Sequence, residues 1–373
     1  MICFFTPINT TGYGIHSYNL MRAYYDEISK EMCLFPISSN IEFFNDYIRE
    51  WLSNRVGYSK DSPCITIFHE YMLYQLPSRM HIGFPVFELE KFDPVSIKAM
   101  ESMDFLLTTS EWGKSVLQGN GFSEDRIFVI PEGYDHRIFT FENDIEKKMA
   151  RITNEGVKFV HVGKMEARKS TTEILGCFVQ ASEKRNASLL AHIGTPFDKS
   201  WFEKVTKFIE SKGYAFDSTR NCFFREESRI FIPLGRFQGD NDMAAFYKMA
   251  DFGVFASKAE GWGLPLIEAI ACGTPCITTN WTAQSEYLGN YPDELLLKDY
   301  SMQSANDGVW FRGDKGDWRV PDFKKLTAIM ESIIEDPRKY LQLAGNCNDS
   351  VKGFTWSNAA IKLHEALKTI KAI

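Results

Sequence analysis

The stretch that decides the fold reads Phe252-Gly253-Val254-Phe255-Ala256-Ser257 and, two residues on, Glu260-Gly261-Trp262-Gly263-Leu264-Pro265-Leu266-Ile267-Glu268-Ala269-Ile270-Ala271-Cys272-Gly273-Thr274-Pro275. A short apolar run, a glycine loop and a small-residue apolar run follow one another, which is the order strand, turn, helix. Proline suits a helix's first turn and glycine the position just past its end, so the spacing predicts a helix over 265–272. Between Gly261 and Ser285 the one charged residue is Glu268. An isolated buried charge costs several kcal/mol, so this carboxylate calls for a partner. Two hydroxyls of a ligand at the mouth of the sheet would serve, and so would an internal salt bridge.

Working outward, apolar runs of four to six residues alternate with stretches of helical period. In the first part they fall at 2–6, 32–37, 64–68, 82–87, 105–109 and 127–130, with helical stretches near 15–29, 41–55, 94–103 and 111–119. Residues 139–155 are polar and charged and break the pattern, which restarts at 158–162, 188–193, 230–233, 252–256 and 275–279. Strands alternating with helices predict two parallel α/β units joined near 140–156. The length of 373 residues fits two domains.

Composition excludes several classes. Hydrophobic residues make up 44% and charged residues 24%, as in a folded globular chain. The net charge of −7 argues against a nucleic-acid polymer as partner. No run approaches the roughly 18 apolar residues of a spanning helix, and the start, Met1-Ile2-Cys3-Phe4-Phe5-Thr6-Pro7, lacks the basic flank of a signal peptide. At most peripheral membrane contact is expected. The eight cysteines, at 3, 33, 64, 177, 222, 272, 276 and 347, form no Cys-x-x-Cys pair and read as reduced core thiols of a cytoplasmic protein.

In open parallel sheets ligands sit at the carboxyl ends of strands, so the loops there are searched for chemistry. After the first run, Gly12-Tyr13-Gly14 opens a helix, where glycines let amides approach a phosphate; a tight turn alone would also explain them. The third glycine of the dinucleotide fingerprint is Ser17, and no acidic residue ends the second run, which disfavours a nicotinamide dinucleotide. His69-Glu70 ends the run 64–68; Leu73 breaks the zinc-protease spacing, leaving a histidine that touches substrate or bonds a neighbouring carbonyl. Gly163-Lys164-Met165-Glu166-Ala167-Arg168-Lys169-Ser170 places three cations before a helix start, suited to a diphosphate or merely solvated, with Ser170 and Glu173 at capping-box spacing. The loop 280–287, with Glu286, is another candidate without an assigned role. Gly113-Lys114-Ser115 lacks the earlier glycine of a phosphate loop, Asp240 reads as an N-cap, and no zinc-ligand cluster is present.

Together these motifs resemble the retaining family 4 glycosyltransferases (glycosyltransferase group 1) of GT-B fold over most of the chain. The resemblance is carried by Glu260 to Glu268 with Gly-Trp-Gly-Leu-Pro between them, by Val162-Gly163-Lys164 to Lys169, by Ile130-Pro131-Glu132-Gly133-Tyr134-Asp135, by Phe68-His69-Glu70, by Thr108-Thr109-Ser110, and by the segments 318–321 and 354–356. It implies two Rossmann-like domains facing each other across a cleft: an acceptor domain over 1–150, a donor domain over 151–353, and a helix within 354–373 that crosses back. The implied reaction moves a hexose from a nucleotide-diphosphate sugar to an acceptor hydroxyl of a glycan, lipid-linked or protein-linked sugar. Anomeric configuration is retained, and neither a metal nor any other cofactor is required.

Under the resemblance, Lys164, Lys169 and the amides around Gly263 and Leu264 meet the departing diphosphate. Glu268 holds the ribose, Glu260 lies near the donor sugar, and His69 contacts sugar or acceptor. Gly12 and Gly14 approach from the first domain, and Gly163 and Gly261 complete the donor loops. Lys164 stands where the family has Arg, Ser170 where it has Gly, and Glu132 where it has Asn. The Glu132 charge is expected near the cleft, and base selection near 234–237. The alternative function is a catalytically silent nucleotide-sugar-binding partner subunit on the same scaffold.

Overall fold

The computed structural model describes residues 1–37, 41, 45–195, 198–233, 235, 237, 239–308 and 310–373. Six parallel strands form the first sheet: β1 (Ile2–Thr6), β2 (Met32–Pro36), β3 (Cys64–Phe68), β4 (His81–Pro85), β5 (Phe105–Thr108) and β6 (Ile127–Val129), in the order β2-β1-β3-β4-β5-β6. The second sheet contains β7 (Val157–Lys164), β8 (Ala187–Gly194), β9 (Ala215–Asp217), β10 (Cys222–Arg225), β11 (Ser228–Phe231), β12 (Phe252–Phe255), β13 (Cys276–Thr279) and β14 (Leu296–Leu297), in the order β14-β13-β12-β7-β8-β11-β10-β9. All its pairs are parallel except those of β9 with β10 and β10 with β11. An antiparallel hairpin of β15 (Tyr300–Asn306) and β16 (Arg312–Pro321) stands apart.

Strand order reverses between β1 and β3 in the first sheet and between β7 and β12 in the second, which is where open sheets bind ligands. The loops Gly12–Gly14, His69–Glu70, Lys164–Lys169 and Ser257–Gly263 therefore leave the sheets at the two switch points. The sheets have separate cores. Phe4, Ile65, Ile67, Ile82 and Phe84 anchor the first; Phe159, Val160, Leu189, Val254 and Ile277 anchor the second. All eight cysteine thiols are free and buried. The last helix, Trp356–Thr369, lies on the first core: Trp356, Ala360 and Leu363 pack with Phe84 and Ile130. Tyr134 bridges to Thr355 beside it.

Several local expectations need correction. Ser170 makes no capping hydrogen bond; it adopts φ 54°, the left-handed region, and its buried hydroxyl has no partner among the described residues, while Glu173 is engaged by Lys258 at 2.9 Å. A glycine at this position would fit that backbone without strain, so Ser170 holds it at a cost. Asp240 is the first residue of the helix Asp240–Lys248 and Gly239 is its cap. The break at 139–155 contains the helix Ile145–Glu155, whose face of Ile145, Met149 and Ile152 packs on the second core. The helix predicted over 265–272 spans Leu264–Ala271 with Gly263 as its cap, and Gly273 takes φ 83° just past its end. Residues 42–44 of the early helical stretch lie outside the described residues, as do Leu234 and Arg236 of the base-selection segment.

Candidate functional site

β7 ends at Lys164, and the turn Ala167–Lys169 folds its two cations back toward the loop that follows β12. There Glu260 accepts from Lys169 Nζ at 2.6 Å on Oε1 and from Arg168 Nη1 at 2.9 Å on Oε2. Burial alone would raise the Glu260 carboxyl, but Lys169 and Arg168 outweigh it and bring it down to about 2. Arg168 Nη1 also donates to the Ala259 carbonyl at 2.8 Å, and Nη2 faces Glu88 at 3.3 Å and Glu166 at 3.5 Å. Lys164 Nζ lies 3.5 Å from Glu166 Oε1. Burial lowers the Lys169 ammonium from its ordinary value, against the pull of Glu260. His161, Lys169, Ser257, Glu260, Gly263, Pro265 and Gln284 line one small cavity at this switch point.

Glu268 lies one helical turn inside Leu264–Ala271. Tyr247 donates to its Oε2 at 3.0 Å, and among the described residues no cation pairs with it. Burial first, then the charge of Asp240, holds its carboxyl well above the ordinary range. The internal salt bridge that would explain this carboxylate is therefore absent among the described residues. Glu132, expected to face the cleft, is buried 2.9 Å from His16 Nδ1 and acts on Glu268 through its charge alone.

Across the cleft, Tyr13 donates its hydroxyl proton to the Val86 carbonyl at 2.6 Å, and the same oxygen lies 3.0 Å from His69 Nδ1. With that proton committed, His69 Nδ1–H is the donor, which leaves Nε2 with a lone pair and no hydrogen bond to the described residues. Burial lowers the His69 pKa and keeps the ring neutral. Gly12 and Gly14 open the helix Gly12–Glu27; a side chain at Gly14 would run into the carbonyl oxygen of Asn9, so the loop's own packing accounts for that glycine. Gly163 is the last residue but one of β7, and Leu264 the first of the helix after Gly263. Gly261 meets the first half directly: its carbonyl accepts from Thr109 Oγ1 at 2.6 Å. Glu286 Oε2 accepts from the Glu111 amide at 2.8 Å, at the start of the helix Glu111–Gly119.

The structure thus brings Glu260, Lys169, Gly163, Gly261 and Gly263 together around one switch point, with Lys164 at the strand end and Glu268 on the following helix. His69 stands on the opposite wall. Sequence reasoning missed Arg168, Glu88 and Lys315. Arg168 was visible as a third cation beside Lys169; Glu88 and Lys315 carry no motif.

A family model, glycosyl transferases group 1, matches residues 231–310. The O-antigen chain mannosyltransferase B of Escherichia coli is 22% identical over 66% of this chain and 62% of its own length. D-inositol 3-phosphate glycosyltransferase 1 of Catenulispora acidiphila is 20% identical over 85% of this chain and 70% of its own. The chain spans less than two thirds of the first of these relatives. Among solved structures, Anabaena HepE in complex with UDP-glucose superposes with a TM-score of 0.68 at 13% identity over 99% of both chains. Sucrose-phosphate synthase from Thermosynechococcus elongatus gives 0.69 at 16% identity over 100% of this chain and 99% of its own. The match over residues 231–310 makes this chain similar to the group 1 glycosyltransferases, and the whole-chain superposition shows that its fold is GT-B.

Proposed function

We propose that this chain moves a hexose from a nucleotide-diphosphate sugar to an acceptor hydroxyl, with retention of configuration and without a bound metal. The observation that carries the reading is Glu268: a desolvated carboxylate at the edge of the switch point that is met by one tyrosine hydroxyl and, among the described residues, by no cation. Two ribose hydroxyls donate to such a group, and the binding returns the hydrogen bonds its burial withholds.

The diphosphate then lies toward Lys169, Lys164 and the amide end of the helix Leu264–Ala271, which stabilise charge as the sugar bond breaks. Glu260 fixes the direction of Lys169 and offsets part of its charge before substrate arrives. His69, neutral, accepts a hydrogen bond from a sugar hydroxyl through Nε2 and so orients the reacting sugar without taking a proton. Retention follows when the departing phosphate itself receives the acceptor's proton on the same face.

The names of relatives support hexosyl transfer: two are transferases of mannose or of a glycosyl group to inositol phosphate, and a structural neighbour binds UDP-glucose. The test is release of nucleoside diphosphate from UDP-, GDP- and ADP-sugars in the presence of sugar acceptors and a chelator. Turnover with one donor is expected, and Lys169→Ala is expected to lower kcat by about 100- to 1,000-fold, the typical loss of one charge-stabilising donor. Binding without release would instead identify a silent partner subunit. Turnover that survives Lys169→Ala and Glu268→Gln unchanged would remove the site from this place.

A further inference from the structure

The hairpin of β15 and β16 belongs to the second half of the chain, yet its far strand grips the first. Lys315 Nζ donates to Glu70 Oε1 at 2.6 Å, the Lys91 amide donates to the Lys315 carbonyl at 3.1 Å, and Arg319 Nη2 donates to Glu90 Oε1 at 3.0 Å. Trp318 and Ala305 of the hairpin are buried with Leu89 of the first half and Ala259, the neighbour of Glu260. The Lys315 ammonium also lies 5.1 Å from the centre of the Tyr71 ring, and Tyr71 stacks on His69 with 5.2 Å between centroids and 20° between planes. The loop that carries His69 is thereby held from the opposite wall of the cleft.

We propose that Lys315 is a positioning residue for His69: by pairing Glu70 and capping Tyr71 it keeps the imidazole in its neutral, lone-pair-bearing form when the two halves are seated together. The kinetic consequence rests on the glycosyl-transfer reading above; the effect on the imidazole does not.

The physical reason is a balance of charges in a desolvated corner. Five titratable or charged groups face His69: Tyr13 from the first helix, Glu70 and Tyr71 from its own loop, Lys164 from the end of β7, and Lys315 from the hairpin. Burial disfavours imidazolium, Glu70 favours it, and Lys315 and Lys164 oppose it. Glu70 is itself buried, with Lys315 as the ion-pair partner the structure records for it. Without the Lys315 ammonium, the adjacent carboxylate pulls a proton onto His69. An imidazolium has no lone pair at Nε2 and accepts nothing from a sugar hydroxyl.

The experiment uses the full chain with ¹³C-labelled histidine, His69 being assigned by loss of its signal in His69→Asn, and follows its titration by NMR. Lys315→Met, which keeps the stem and removes the charge, is expected to raise the His69 pKa by about one pH unit, tenfold in proton affinity. Lys315→Arg is expected to titrate as the wild type, and Lys315→Met combined with Glu70→Gln to return toward it. In the transfer assay, the acid limb of kcat/KM is expected to move with the NMR value while donor KM stays within twofold. An unmoved His69 pKa in Lys315→Met, or a raised one that Glu70→Gln leaves raised, overturns the proposal. Should Lys315→Met not fold, Glu70→Gln alone decides: it is expected to lower the His69 pKa, and no change overturns the proposal. Absence of transfer by the wild type with every donor would refute the functional reading and leave the NMR result to judge Lys315.

Discussion

Ser170 illustrates how a single position carries both a glycine-like backbone and its local cost. Its φ of 54° belongs to the region that glycine enters freely, and its buried hydroxyl lacks a partner among the described residues. Ser170→Gly is expected to raise unfolding free energy by about 1 kcal/mol, the left-handed penalty and the desolvated hydroxyl outweighing the entropy of the extra glycine. Urea melts check it; a loss of stability would mean that the serine side chain does something the backbone does not show. The capping box read from Ser170 and Glu173 failed because spacing alone does not reveal the sign of φ. Glu268 was legible for the opposite reason: one charge in 25 residues of apolar and small polar sequence is conspicuous, and the alternatives it allowed were few. Arg168 was seen as charge but not as the residue that ties Glu260, Glu166 and Glu88 together, because Glu88 comes from a distant loop.

At the scale of elements, β7 buries a histidine. His161 Nδ1 lies 2.8 Å from the Val254 carbonyl of β12, and burial lowers its pKa from 6.5 to about 4. Below pH 6.5 the unfolded chain takes up this proton and the folded chain does not, so stability falls as pH falls, down to about pH 4. At about 1.4 kcal/mol per pH unit that window is worth about 3 kcal/mol. Urea unfolding at pH 7, 6 and 5 is expected to show this slope in the wild type and to lose it in a folded His161→Asn variant; equal slopes in the two would contradict it. The central strands were readable because both faces are covered and their sequences are continuously apolar. The antiparallel edge β9–β10 and the hairpin β15–β16 were not, since Tyr300-Ser301-Met302-Gln303-Ser304-Ala305-Asn306 lacks both an apolar run and a clean alternation, and all but Ala305 are exposed.

Over the whole molecule, the two halves are fastened at several separate places: Thr109 to Gly261, Glu111 to Glu286, Arg168 to Glu88, the hairpin to residues 70–91, and the last helix to the first core. Trp356 is 5% exposed and packs beside Phe84 and Ile130 in that core. Trp356→Ala is expected to cost about 3–5 kcal/mol in urea unfolding, because a large ring leaves a cavity that a sheet floor cannot fill; a cost below about 1 kcal/mol would mean that the helix adds little to the first half. The two-unit division came from the strand pattern, but the fastening did not, since each contact joins residues far apart in sequence.

The central claim is that the β7–β12 switch point seats a nucleotide through Glu268. The most direct measurement is calorimetric binding of the preferred nucleoside diphosphate and its 2′,3′-dideoxy analogue to the wild type and to Glu268→Ala. Removing both ribose hydroxyls is expected to weaken binding to the wild type by about tenfold or more, the worth of two hydrogen bonds to a buried acceptor, and to leave the affinity of Glu268→Ala almost unchanged. Equal losses in the two proteins, or none in the wild type, would contradict it.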